Sequence, residues 1–133
     1  MSIVKKGIYY CSICGNIVES LWDGKPSIVC CGQDMEQLSP KTVDAGNEKH
    51  VPVVERSGNQ VTVKVGDVDH PMTAEHYILF IEVLAGDKVY RHDFTEAYVS
   101  GETPRAVATF TIEDEIQEVR EFCNKHGLWA TQF

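Results

Sequence analysis

Four of the five cysteines in this 133-residue chain fall within its first 31 positions, as Cys11-Ser12-Ile13-Cys14-Gly15 and Cys30-Cys31-Gly32. Two short arms of paired thiols suit one tetrahedral ion, whereas a disulfide framework needs an oxidising compartment. Five is an odd number, and the opening Met1-Ser2-Ile3-Val4-Lys5-Lys6-Gly7 has no apolar stretch behind its lysines, so a reducing, cytoplasmic setting is the expectation. A bridge between adjacent Cys30 and Cys31 would also be strained. Sulfur alone does not choose between zinc and iron. Gly15 and Gly32 each follow a thiol pair, where positive φ is expected to aim an amide at a ligand sulfur. The adjacent pair should distort the tetrahedron.

Beyond this segment the pattern changes. Residues 1–38 contain little that could form a core, Ser39-Pro40-Lys41-Thr42 reads as a boundary, and 39–133 is expected to be a second domain. Val51 to Glu55 and Gln60 to Val65 are β-branched runs around Arg56-Ser57-Gly58-Asn59, a hairpin signal. Tyr77 to Leu84 and Lys88 to Phe94 flank Ala85-Gly86-Asp87, a second hairpin. Arg105 to Ile112 is another strand, with Ala106, Ala108, Phe110 and Ile112 on one face. Short strands separated by turns point to an all-β chain ending in a β-sandwich. One stretch is ambiguous: Ile112, Ile116, Val119 and Cys123 recur at helical spacing, although the same residues tolerate a strand.

The net charge of −8, with no basic cluster larger than Lys5-Lys6, argues against a nucleic-acid partner. No apolar run reaches 18 residues, so no membrane-spanning helix is expected.

The remaining cysteine lies in Phe122-Cys123-Asn124-Lys125-His126-Gly127-Leu128-Trp129, with a histidine three positions on. His50 opens a strand, and His70 and His76 flank a loop before another. A single histidine in a β domain is ordinarily a surface or hydrogen-bonded residue. Strand ends can converge at one pole of a sandwich, however, and Pro52 and Pro71 would help hold the loops extended. His92, mid-strand between charged neighbours, reads as a non-ligand.

Here a family resemblance becomes specific. Glu48-Lys49-His50-Val51-Pro52, His70-Pro71-Met72 with Glu75-His76-Tyr77-Ile78, and Cys123-Asn124-Lys125-His126-Gly127-Leu128-Trp129 resemble the three motifs of the superoxide reductases. The Cys11/Cys14/Cys30/Cys31 set resembles desulforedoxin. Together, over nearly the whole chain, they resemble the two-iron desulfoferrodoxins. One departure is Phe80, where tryptophan would be expected, which bears on packing.

The resemblance implies a small rubredoxin/desulforedoxin-like iron domain followed by an immunoglobulin-like β-sandwich, with Glu113 to Phe122 mainly strand. It implies two iron ions, one held by the four N-terminal cysteines. The other would have His50, His70, His76 and His126 in its plane and Cys123 as axial thiolate. The implied reaction is one-electron reduction of superoxide to hydrogen peroxide without oxygen release, a detoxification. Neutral imidazoles and one thiolate would leave a ferrous ion with net positive charge and room for an anion. Lys49 beside His50 is expected to guide superoxide, because acids beyond about 8 Å are largely screened at physiological salt. The resemblance also implies that Glu48 can take the sixth position in the ferric state, that a rubredoxin-like donor returns the electron, and that the chain forms a homodimer. The other readings are a pure electron-transfer protein, a zinc-stabilised binding module, and a dismutase; a vacant coordination position, visible colour and oxygen evolution respectively would tell them apart.

Overall fold

Every regular element in the computed structural model, which describes residues 2–44, 50–68, 70–94 and 105–133, is a β-strand. The strands belong to two compact units, Met1–Ser39 and Pro40–Phe133.

In the first unit β1 (Ile8–Tyr10) runs antiparallel to both β2 (Ile17–Glu19) and β5 (Glu36–Gln37). A separate hairpin pairs β3 (Val29–Cys30) with β4 (Gln33–Asp34). Contrary to the expectation of almost no core, Tyr9, Cys11 and Met35 are buried together, with Ile3, Val18, Ile28 and Cys30 packed on them. The buried Tyr9 ring keeps its hydroxyl satisfied by accepting the amide of Val4 at 2.9 Å. Composition understated this core because it is assembled from isolated residues on different strands. It remains small: units below about 40 residues ordinarily need a metal or disulfides as well.

The second unit contains β6 (Pro52–Ser57), β7 (Gln60–Val65), β8 (Ile78–Ala85), β9 (Lys88–Asp93), β10 (Val107–Thr111), β11 (Ile116–Cys123) and β12 (Gly127–Gln132). They form antiparallel sheets ordered β10-β7-β6 and β12-β11-β8-β9, an immunoglobulin-like pairing of three strands with four. Alternation sets the inner faces. Val61, Val63 and Val65 of β7 and Ala108 of β10 meet Ile81 and Val83 of β8 and Val119 of β11, with Ala106, Ile112 and Phe110 joining as the sequence pattern implied. The position of Phe80 is filled by its ring stacking on Phe122, 6.1 Å between centroids.

The ambiguous stretch is strand. Its helical look has a physical cause: the β11–β8 register shifts between Ile116 and Glu118, so Gln117 is an extra residue. A bulge of this kind lets Ile116 and Val119, three apart, both face the core. A second shift, between Phe122 and Cys123, makes Leu79 the extra residue on β8 and turns both Ile78 and Ile81 inward.

These registers define one pole of the sandwich. Pro52 at the start of β6 pairs with Val65 at the end of β7, and Cys123 at the end of β11 pairs with both Ile78 and Gly127. The hydroxyl of Thr131 on β12 donates to the Pro52 carbonyl at 2.6 Å, tying the two sheets together there.

Candidate metal centres

The N-terminal thiols are presented by two turns. Cys30 ends β3, and Cys31-Gly32 forms the two-residue turn into β4, with φ of 53° and 75°. Two successive positive φ angles mark the type I′ hairpin geometry, which closes antiparallel strands without splaying them. Cys31 occupies a region that L-residues seldom adopt, and this places it beside Cys30. Cys11 follows β1, and its carbonyl accepts the amide of Gly15 at 2.9 Å. The expectation that Gly15 would aim at a sulfur is therefore corrected: its amide closes the turn. The donors that reach sulfur are the amides of Cys14 and Ile13 on Cys11, and the side-chain amide of Asn16 on Cys30, at 3.6 Å.

All four sulfurs lie within 4.8 Å of one another, with Cys14 to Cys30 at 3.5 Å and Cys30 to Cys31 at 4.0 Å. A tetrahedron with metal–sulfur bonds of about 2.3 Å has edges of about 3.8 Å, so the spacing fits one ion. The electrostatics point the same way. The Cys14 amide leads in pulling the Cys11 thiol down to about 7, while the Cys14 sulfur leads in pushing Cys31 up to about 12 and also raises Cys30. Without a cation the cluster resists a second thiolate; a bound ion removes that repulsion.

At the sandwich pole, donor atoms of His50, His70, His76 and Cys123 also lie within 4.8 Å of one another. His126 completes the group. Ring centroids run from His50 to His70 at 4.8 Å, His70 to His76 at 4.7 Å, His76 to His126 at 5.1 Å, and His126 back to His50 at 4.8 Å. Each neighbouring pair is tilted by 63° to 76°, so the four rings close on themselves as an imidazole square. His50 Nε2 and His70 Nε2 are 3.1 Å apart, close to the edge of about 3 Å expected for nitrogens about 2.1 Å from a shared ion. His70 Nδ1 lies 2.8 Å from the Pro71 carbonyl, which can only accept, so the proton sits on Nδ1 and Nε2, turned toward His50, is the nitrogen with a lone pair to offer a metal. Cys123 Sγ approaches His126 Nδ1 at 3.7 Å. His50, His70 and Cys123 are buried, His76 is half-buried and His126 exposed.

Sequence reasoning missed the residues that hold this square together. The Asp44 carboxylate accepts the amides of His50, at 2.6 Å, and Val51, at 3.0 Å. Asn124 clasps the His76 segment: its side-chain oxygen accepts the Tyr77 amide at 2.9 Å and its NH2 donates to the Glu75 carbonyl at 2.9 Å. Both side chains act on backbone groups, a habit of Asp and Asn at strand ends that was available as a signal. Trp129 stacks on His50 at 4.7 Å and 14°, and its indole N–H donates to the His126 carbonyl at 3.1 Å. Glu121, on the same face of β11 as Cys123, is buried, and neither carboxyl oxygen has a hydrogen-bond partner among the described residues. Burial first, and then the Asp44 carboxylate, push it well above the usual carboxylate range.

His92 is not part of either group: it is exposed on β9, its ring 4.6 Å from Phe94. Glu48 and Lys49 lie outside the described residues.

The comparisons with known proteins agree with this geometry. The family model described as "Desulfoferrodoxin" matches residues 42–132, and "Desulfoferrodoxin, N-terminal domain" matches 4–38. The chain belongs to the desulfoferrodoxin family. Among its relatives, the desulfoferrodoxin of Desulfarculus baarsii is 49% identical over 125 residues, 94% of each chain. The "Desulfoferrodoxin homolog" of Archaeoglobus fulgidus is 48% identical over 124 residues, 93% of this chain and 94% of the relative. Of the solved structures, the superoxide reductase from Treponema pallidum superposes with a TM-score of 0.70 at 29% identity, covering 95% of this chain and 97% of the other. The sulfur cluster and the histidine–cysteine cluster fit the two iron centres of a desulfoferrodoxin.

Proposed function

We propose that this chain is a superoxide reductase, reducing superoxide by one electron, with two protons, to hydrogen peroxide and releasing no oxygen. The observation that carries the reading is the closed square of four imidazoles with the Cys123 sulfur beside it. Domain 1–38 would hold the tetrathiolate iron on Cys11, Cys14, Cys30 and Cys31, and domain 39–133 the reactive iron on His50, His70, His76, His126 and Cys123. When bound there, ferrous iron supplies the electron and a coordination position for a small anion. Each chain residue has a distinct task. Four neutral imidazoles leave the cation's charge largely uncompensated, which draws an anion. The single Cys123 thiolate would donate electron density to the ion it holds, which would favour loss of the electron and weaken the hold on product. Lys49, next to His50, raises the local concentration of anion against the charge of −8 carried by the whole chain. Glu48 would supply a hard carboxylate, a ligand type that suits the ferric ion once product has left.

In the same reading the chain is cytoplasmic and homodimeric, and a rubredoxin-like protein returns the electron. The small domain serves stability or electron handling.

Reduced protein mixed with superoxide should give one peroxide per oxidised centre and no oxygen. Oxygen evolved at half the superoxide consumed would assign dismutation and sink the reading. Lys49→Ile should slow the oxidation and flatten its dependence on ionic strength.

A further inference from the structure

Lys41 belongs to none of the motifs, yet it is tied to two of the donor residues. Its backbone pairs with β12: the Lys41 amide donates to the Leu128 carbonyl at 2.9 Å, and Ala130 donates back to the Lys41 carbonyl at 2.8 Å. This places Lys41 opposite Trp129 in a parallel bridge. The side chain then folds over the strand. Its ammonium lies 4.9 Å from the centroid of the Trp129 ring and donates to the His126 carbonyl at 3.1 Å. That same carbonyl accepts the Trp129 indole N–H, and the Trp129 ring stacks on His50. Ammonium, indole and imidazole are therefore linked in series, and the His126 peptide is pinned by two donors.

We propose that Lys41 is a positioning residue of the histidine–cysteine centre. Acting through Trp129 on His50 and through the His126 carbonyl, it holds a fixed positive charge near the bound ion and so favours its reduced state. The inference rests on the iron-centre reading given above. Lys41 is exposed, but the Trp129 ring beneath its ammonium is buried, so one side of the charge meets water and the other a desolvated aromatic face that leads to His50. The ammonium is also held at two points, which distinguishes it from a mobile surface side chain.

The test is a reductive titration of the intact two-centre protein, following the visible absorption of the second centre, in Lys41→Met, Lys41→Gln and Lys41→Arg. Lys41→Met should lower the ratio of reduced to oxidised centre at a fixed ambient potential by about three- to tenfold. Lys41→Arg, which keeps charge and stacking, should stay near the unmodified protein. Lys41→Gln keeps a donor for the His126 carbonyl but no charge, and should follow Met; it also decides the matter if the Met variant does not fold. An unshifted Met or Gln variant overturns the proposal, and so does an Arg variant shifted as far as Met, because packing would then be the cause. Absence of an iron-type absorption in the unmodified protein would instead remove the iron-centre reading itself.

Discussion

The two donor clusters are assembled from opposite ends of the folding hierarchy. In the first unit the thiols come from two turns close in sequence, Cys11–Cys14 and Cys30–Cys31, and two of them are exposed. The core cluster around them is Cys11 itself with buried Tyr9 and Met35, and a few partly buried side chains. In the second unit the donor cluster spans His50 to Cys123 and meets only because two sheets, sharing a core of fifteen buried residues among those described, bring their strand ends to one pole. The comparison teaches a difference in causation. The small core of the first unit leaves its shape dependent on a bound ion, whereas the larger core of the second is expected to stand without one.

Metal removal is the strongest way to break that contrast. Structural sites of this sulfur type are worth on the order of 10 kcal/mol, more than a 39-residue unit can otherwise supply. Stripping both centres with a chelator should abolish hydrogen-exchange protection at amides such as Met35, bonded to Ile28 at 2.7 Å, while β7, β8 and β11 stay protected. Persistent protection in the first unit would end the distinction.

Single ligand substitutions should repeat the asymmetry more mildly. Cys30→Ser is expected to unfold the first unit, whereas His70→Ala should leave the sandwich folded and lower metal affinity at its pole by at least ~100-fold. Circular dichroism with metal analysis of each variant would check this, and a His70→Ala protein that loses the sandwich would contradict it.

Asn124 sharpens the comparison within the second unit, since it braces the pole without offering a donor. Asn124→Ala removes two side-chain hydrogen bonds to the Glu75–Tyr77 segment, so a stability loss of about 1–3 kcal/mol and roughly tenfold weaker metal binding are expected. Equal metal affinity in denaturant-matched assays would show that His76 is held by other means.

The smallest effect concerns Gly127. Its φ of 86° is in the left-handed region, while an added Cβ would meet nothing within 4 Å. Gly127→Ala is therefore a backbone perturbation alone, of about 1–2 kcal/mol, readable as a lowered midpoint in urea. A larger loss would mean that the Cys123–His126 turn cannot relax at all.

Much of the site could be read before the fold. Thiol pairs, histidines at strand ends and the three motifs name the donors, because coordination chemistry restricts residue type and short spacing. The hairpins were equally legible, since Gly58-Asn59 and Gly86-Asp87 punctuate period-2 runs. The helical appearance of Ile112 to Cys123 was not resolvable from periodicity, because a bulge at Gln117 imitates the helical step.

The chain's own letters determined which atoms were available to bind metal, in what order, and that strands would present them. Tertiary structure alone decided how His50, His70, His76 and His126 meet edge to face in a closed square, and that Asp44, Asn124 and Trp129 bond or stack on the segments that present them. The reason is physical. A ligand's type is a local property of one residue, but its distance from a partner far along the chain depends on strand register, where a shift of one position turns a side chain to the opposite face.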